Sequence, residues 1–251
     1  MRIFAKGGDH MGFRPKKLAE KYGLSSNTLR NYEAKGLMPP ADRSSNGYRM
    51  YTERHEAFLA CIQAMTAAFG MEVTSQVMHC LRRNELDDAL WIVRDREVML
   101  HREKANLDQL IRELKSYSEG SRAHDINHNF SIHEVSRRTG ASKSAIRYWE
   151  QCGLFTTERD PDNDYRFYHE AHLFKIRLIQ VLQSAVYSEE TVNLKQSVAR
   201  LDLENIEDSM KVSDRIQVHL NKTIKLQMRA LYFLYRLIET IDNSETTAAD
   251  H

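Results

Sequence analysis

The chain has 251 residues, of which 28% are charged and 41% hydrophobic, and a formal net charge of +1; this is the balance of a folded soluble protein and excludes a disordered or fibrous one. Only 4 prolines and 10 glycines interrupt stretches rich in Leu, Ala, Glu, Lys, Arg and Gln, so the expected fold class is mainly α with few, short strands. Cys61, Cys80 and Cys152 form no CxxC pair and have no histidine at ligand spacing, which argues against a disulfide framework or a structural zinc site.

Taken in chain order, Met1 to His10 lacks the apolar centre of a signal peptide and no run of about 18 apolar residues follows, so a cytoplasmic location is expected. Pro15 suits the first turn of a helix over Lys16 to Tyr22, which Gly23 ends. Ser25 caps a second helix, Ser26 to Lys35, stopped by Gly36. Two short helices about a tight turn read as a helix-turn-helix. A polar stretch leads to Tyr48-Arg49-Met50-Tyr51, whose alternation predicts a strand in a hairpin wing. Leu86, Leu90, Val93, Leu100, Leu107, Ile111 and Leu114 then recur at coiled-coil spacing. After a polar linker the same order returns, with Gly140, Ser142 and Gly153 as punctuation and a second coiled-coil stripe of Ile216, Leu220, Ile224, Met228, Leu231, Tyr235 and Ile238. The expected organisation is a winged module over 1–84, a coiled-coil helix over 85–117, a linker over 118–129, a second module over 130–204, a second helix over 205–242 and a polar tail over 243–251.

The return is a duplication. Residues 13–65 lie over 130–182 at a constant offset of 117 without a gap, and 15 of the 53 positions are identical, against roughly 3 expected by chance from ordinary residue usage. The pairs include Arg30 with Arg147, Glu33 with Glu150, Tyr48 with Tyr165 and Arg49 with Arg166. Leu29, Ile146, Leu37, Leu154, Tyr51 and Tyr168 read as core, as does the aromatic group Tyr232, Phe233 and Tyr235. Glu33 and Glu150 read as structural partners for a nearby arginine. With no nucleophile beside a base, no paired catalytic acids and no phosphate-binding glycine loop, the residues do not describe an enzyme.

The motifs Thr28-Leu29-Arg30-Asn31-Tyr32-Glu33, Lys35-Gly36-Leu37 and Asn46-Gly47-Tyr48-Arg49-Met50-Tyr51 resemble the MerR family of bacterial transcription regulators. Ala145-Ile146-Arg147-Tyr148-Trp149-Glu150 and Asp164-Tyr165-Arg166-Phe167-Tyr168 resemble it more loosely. The resemblance implies two winged helix-turn-helix modules, each followed by a long helix pairing antiparallel, and a regulator that distorts its promoter for RNA polymerase. It further implies that Ser26, Asn27, Thr28, Arg30 and Asn31 of the first recognition helix and Lys143, Ser144, Arg147 and Tyr148 of the second contact DNA, with Arg43, Tyr48, Arg49, Tyr165 and Arg166 at the wings. Guanidinium and phenol groups suit phosphate and base edges. No cofactor, metal or membrane is indicated, since Cys80 has no second thiol beside it; whether a small-molecule effector acts is not decided by these residues.

Charge separates the copies. Residues 13–65 hold 9 Lys and Arg against 5 Asp and Glu, whereas 130–182 hold 8 against 7. Asp160, Asp162 and Asp164 crowd the second wing, and Asp164 stands where the first copy has Gly47. Acids facing phosphate weaken binding, so a protein-binding adaptor whose second module no longer contacts DNA is one alternative, and an architectural, excisionase-like DNA-bending protein is another. The length of the helices and the short link favour a single-chain pseudo-dimer over a homodimer, with two diverged half-sites in place of a palindrome.

Overall fold

The computed structural model describes residues 12–118, 129–159, 164–183, 185–202 and 206–249. The first module opens with α1 (Pro15–Lys21) and α2 (Ser26–Ala34), joined by a turn in which Gly23 has φ 65. Ser25 Oγ accepts the Thr28 N–H at 3.1 Å, a cap of the kind that stabilises a helix start by about 1 kcal/mol. Strands β1 (Asp42–Arg43) and β2 (Arg49–Met50) pair antiparallel as the wing. Next come α3 (Glu53–Arg82) and α4 (Leu86–Ser118). The second module repeats this with α5 (Ile132–Thr139), α6 (Lys143–Gln151), β3 (Glu158–Arg159), β4 (Arg166–Phe167), α7 (Glu170–Val181), α8 (Glu189–Ala199) and α9 (Ile206–Ala249). Ser142 caps α6 as Ser25 caps α2.

The duplication continues past the wings. α3 is kinked at Gly70, where φ is 81, a backbone angle that only glycine adopts without strain. At the offset of 117 its counterpart is Tyr187, which lies between α7 and α8. One kinked helix in the first copy therefore corresponds to two separate helices in the second. α3 is also apolar and long enough to span a membrane, but Phe58, Leu59, Ile62, Met65, Val73, Val77 and Met78 along it are buried in the first core.

The chain divides into two units, Met1–Arg96 with Lys225–His251, and Glu97–Ile224. In the first, Leu18, Leu29, Tyr51 and Ile62 of the module share one core with Val93 of α4 and with Ala230, Leu234, Leu237 and Ile241 near the end of α9. In the second, Ile146, Tyr168 and Ile176 share a core with Ile216 and Leu220 of α9 and with Leu100, Leu107 and Leu110 of α4. Each copy's module is thus completed by the far end of the other copy's long helix.

Three readings of the sequence are corrected here. Leu90, Ile224, Met228 and Tyr235 are exposed, and the buried stripe late in α9 is Gln227, Ala230, Leu234, Leu237 and Ile241. A polar Gln and a small Ala conceal that stripe, while Ile224, Met228 and Tyr235 outside it imitate one. Of the aromatic group expected as core, Tyr232 and Tyr235 are surface residues. The segment expected as a polar tail is helical in backbone to Ala249. The linker 119–128 and the acids Asp160 and Asp162 lie outside the described residues.

Candidate nucleic-acid interface

Each recognition helix buries one side and exposes the other. Leu29 fixes α2 in the first core and Ile146 with Trp149 fixes α6 in the second. What remains outside on α2 is Asn27, Arg30, Asn31 and Ala34; on α6 it is Ser144, Arg147, Tyr148 and Gln151. The spacing i, i+3, i+4, i+7 places each set along one helix face. Among the described residues, Arg30, Asn31 and Arg147 make no side-chain hydrogen bond or ion pair, so their donors point to solvent.

The remaining residues singled out in the sequence divide by what already holds them. The Thr28 hydroxyl lies 2.9 Å from Ser25 Oγ, and Ser144 Oγ 3.0 Å from Ser142 Oγ, so both join the caps. Lys143 Nζ donates to His133 Nε2 at 3.2 Å. Ser26 is half-buried. Tyr48 and Tyr165 beside the wing strands are 75% and 74% exposed.

Glu33 and Glu150 anchor each wing to its recognition helix. Glu33 accepts from the Tyr51 hydroxyl and pairs with Arg49 Nε at 3.5 Å; burial, reinforced by the Glu33 bond, pushes the Tyr51 phenol far above its ordinary pKa. Glu150 pairs with Arg166 Nε at 3.1 Å, but its other bond comes from Thr157 Oγ1 at 2.6 Å. Tyr168, the counterpart of Tyr51, is left with a buried hydroxyl that has no hydrogen-bond partner among the described residues. Arg49 and Arg166 are therefore each held by a carboxylate while their side chains stay partly exposed.

The wings expose a feature that the gap-free alignment hides. Asp42 pairs with Met50 and Arg43 with Arg49, whereas Glu158 pairs with Phe167 and Arg159 with Arg166. Locally the offset is 116: the second copy has one residue fewer before β3 and one more in the turn. The paired histidines agree, since His55 Nε2 meets the Pro40 carbonyl at 3.1 Å and His172 Nε2 meets that of Thr156 at 2.8 Å. The partner of Arg43 is thus Arg159, not Asp160. Arg43 Nη1 donates to the Gly47 carbonyl at 3.0 Å, and Arg159 Nη1 donates to the Asp164 carbonyl at 3.3 Å and to its carboxylate at 2.6 Å. Sequence reasoning missed Arg159 because two compensating one-residue shifts leave the flanking identities in line. The Asp-Arg and Glu-Arg pairs opening the two hairpins were the available signal.

Asp164 adopts φ 60, close to the left-handed angle of Gly47 at φ 78. Aspartate tolerates this region better than most residues, and Arg159 balances its charge. The second wing consequently forms a hairpin, and the acid that weighed against it is neutralised within the turn. Among the described residues no group of three or more His, Cys, Asp or Glu is arranged to hold a metal.

Comparison with known proteins places both copies. Residues 14–51 match the family model "MerR family regulatory protein" and residues 130–193 match "MerR HTH family regulatory protein". The HTH-type transcriptional regulator CueR of Salmonella typhi is 39% identical over 74 residues, 28% of this chain and 54% of that protein. The mercuric resistance operon regulatory protein of Bacillus cereus is 46% identical over 76 residues, 30% of this chain and 58% of that one. The chain therefore spans little more than half the length of these curated relatives. A solved structure, HiNmlR, described as a MerR family regulator lacking the sensor domain and bound to promoter DNA, is 25% identical, covering 44% of this chain and 94% of that chain with a TM-score of 0.31.

Proposed function

The chain carries two MerR-family modules, and from that premise we propose that it is a transcription regulator binding promoter DNA through both modules at once. The observation that carries this reading is the paired outward face: an exposed recognition helix with an unengaged arginine, Arg30 or Arg147, beside a wing whose Arg49 or Arg166 is held by a carboxylate. Such an array offers phosphate contacts that position and base-edge contacts that specify. The completion of each core by the opposite long helix supports a single-chain counterpart of a two-subunit regulator. Because the two faces differ, its site is an imperfect inverted repeat, deformed on binding so that RNA polymerase can engage the promoter. The pairing of Asp164 with Arg159 removes one acid that favoured a pure adaptor.

The test is a mobility shift on fragments of the protein's own promoter region across a salt series, with Arg30→Ala and Arg147→Ala, and with light scattering of the complex. Both substitutions are expected to weaken binding and flatten its salt dependence, with one chain per duplex. Loss with Arg30→Ala alone refutes engagement by the second module, an obligate dimer refutes the single-chain arrangement, and the absence of any shifted fragment refutes the regulator reading.

A further inference from the structure

The outward faces of α2 and α6 can be compared position by position. Asn27 stands against Ser144, Arg30 against Arg147, Asn31 against Tyr148 and Ala34 against Gln151, so arginine is the shared member. We propose that Arg30 and Arg147 read what the two half-sites have in common, and that Asn31 reads an A·T pair in the first half-site which the second half-site, facing Tyr148, does not require. This inference rests on the DNA-binding reading above.

The chemistry of the two side chains supports the division. A carboxamide carries a donor and an acceptor side by side and fits adenine N6 and N7 together, the commonest way an asparagine selects a base in the major groove. Asn31 is exposed, its side chain is unengaged, and its backbone serves the helix, the carbonyl accepting the Lys35 N–H at 2.9 Å. A phenol has one hydroxyl and cannot make the paired contact. Position 148 instead presents an aromatic ring at 62% exposure, suited to an apolar feature such as a thymine methyl. Arginine, adjacent on each face, fits guanine O6 and N7 in both modules. The operator then carries a common G·C pair in each half and an adjoining pair at which the halves differ.

The full chain is used to select from a pool of duplexes with a randomised centre. The recovered site is then varied one base pair at a time in competition against wild type, Asn31→Ala, Asn31→Tyr and the reciprocal Tyr148→Asn. Asn31→Ala is expected to lose about ten-fold discrimination at one A·T pair, in one half-site only. Asn31→Tyr is expected to carry the second half-site's preference into the first, and Tyr148→Asn to create a preference for adenine in the second. An Asn31→Ala protein that is folded by its urea midpoint yet weakened equally on every sequence overturns the inference while leaving DNA binding intact; so does relaxation in both half-sites. If the wild-type chain recovers no duplex, the DNA-binding reading falls and this assignment with it.

Discussion

Leu234→Ala is the perturbation that most directly tests how the two cores are built. Leu234 lies near the end of α9, far in sequence from the first module, yet is 1% exposed and packed in that module's core. Deleting a fully buried leucine to the β-carbon removes its transfer free energy and leaves a cavity, together about 3 kcal/mol. With a urea dependence of about 2 kcal/mol per molar, the transition of the first unit should move down by about 1.5 M. Leu107→Ala is the mirror experiment, since Leu107 is 0% exposed and sits in the second core although α4 follows the first module. The readout is urea unfolding followed by amide exchange resolved by peptide, so that the unit losing protection is identified. Leu234→Ala should release peptides of 13–82 first, and Leu107→Ala those of 130–199. If Leu234→Ala leaves the first module's midpoint unchanged, or lowers only that of the second, the crossed arrangement of helix ends is wrong.

Three further outcomes follow from local chemistry. Tyr51→Phe should cost about 1–2 kcal/mol, because Glu33 loses a hydrogen bond in a poorly hydrated place, whereas Tyr168→Phe should be neutral or stabilising, since the Tyr168 hydroxyl is buried without a partner; equal losses in thermal melts would contradict the contrast. Burial holds the His172 imidazole below its ordinary pKa, with Nδ1 accepting the His169 N–H at 2.9 Å. The unfolded chain then binds the extra proton first, so the second unit should lose stability as pH falls below about 6.5, and His172→Gln should flatten that slope in urea midpoints measured against pH; a midpoint that rises on acidification would refute it. Finally, Cys61 and Cys80 are buried, and burial pushes the Cys61 thiol up to about 12, while Cys152 is exposed at the end of α6. A maleimide should label Cys152 alone in the native chain, as read by peptide mass, and promoter DNA should slow that reaction if the second module is engaged; labelling of all three thiols in the folded protein would contradict the packing.

Much of each module was legible because its signals are local. Ser25 and Ser142 cap helices through an oxygen that reaches only three residues along the chain, and Gly36 and Gly153 allow the positive φ that ends them. The exposed arginines followed from the same register, since burial of Leu29 and Ile146 fixes which side of each helix faces out. The duplication is carried by identities at a fixed spacing, and the residues alone display it. Less legible were features decided by partners distant in the chain. The wing's one-residue shift is set by which backbone groups pair across the hairpin, and an alignment that stays in step on either side cannot register it. The balance of Asp164 by Arg159 depends on that shift.

By itself, then, the sequence determined the two helix-turn-helix modules, their caps and turns, the repeat that relates them and the presence of long helices after each, because propensity, capping and periodicity act over a few residues. Only the tertiary structure decided which face of α9 is buried and which core each end of a long helix completes. A seven-residue apolar repeat states that a helix has a partner and leaves the partner's identity open; Gln227 and Ala230 enter the first core, and Met228 and Tyr235 stay outside it, because of the surface they meet there.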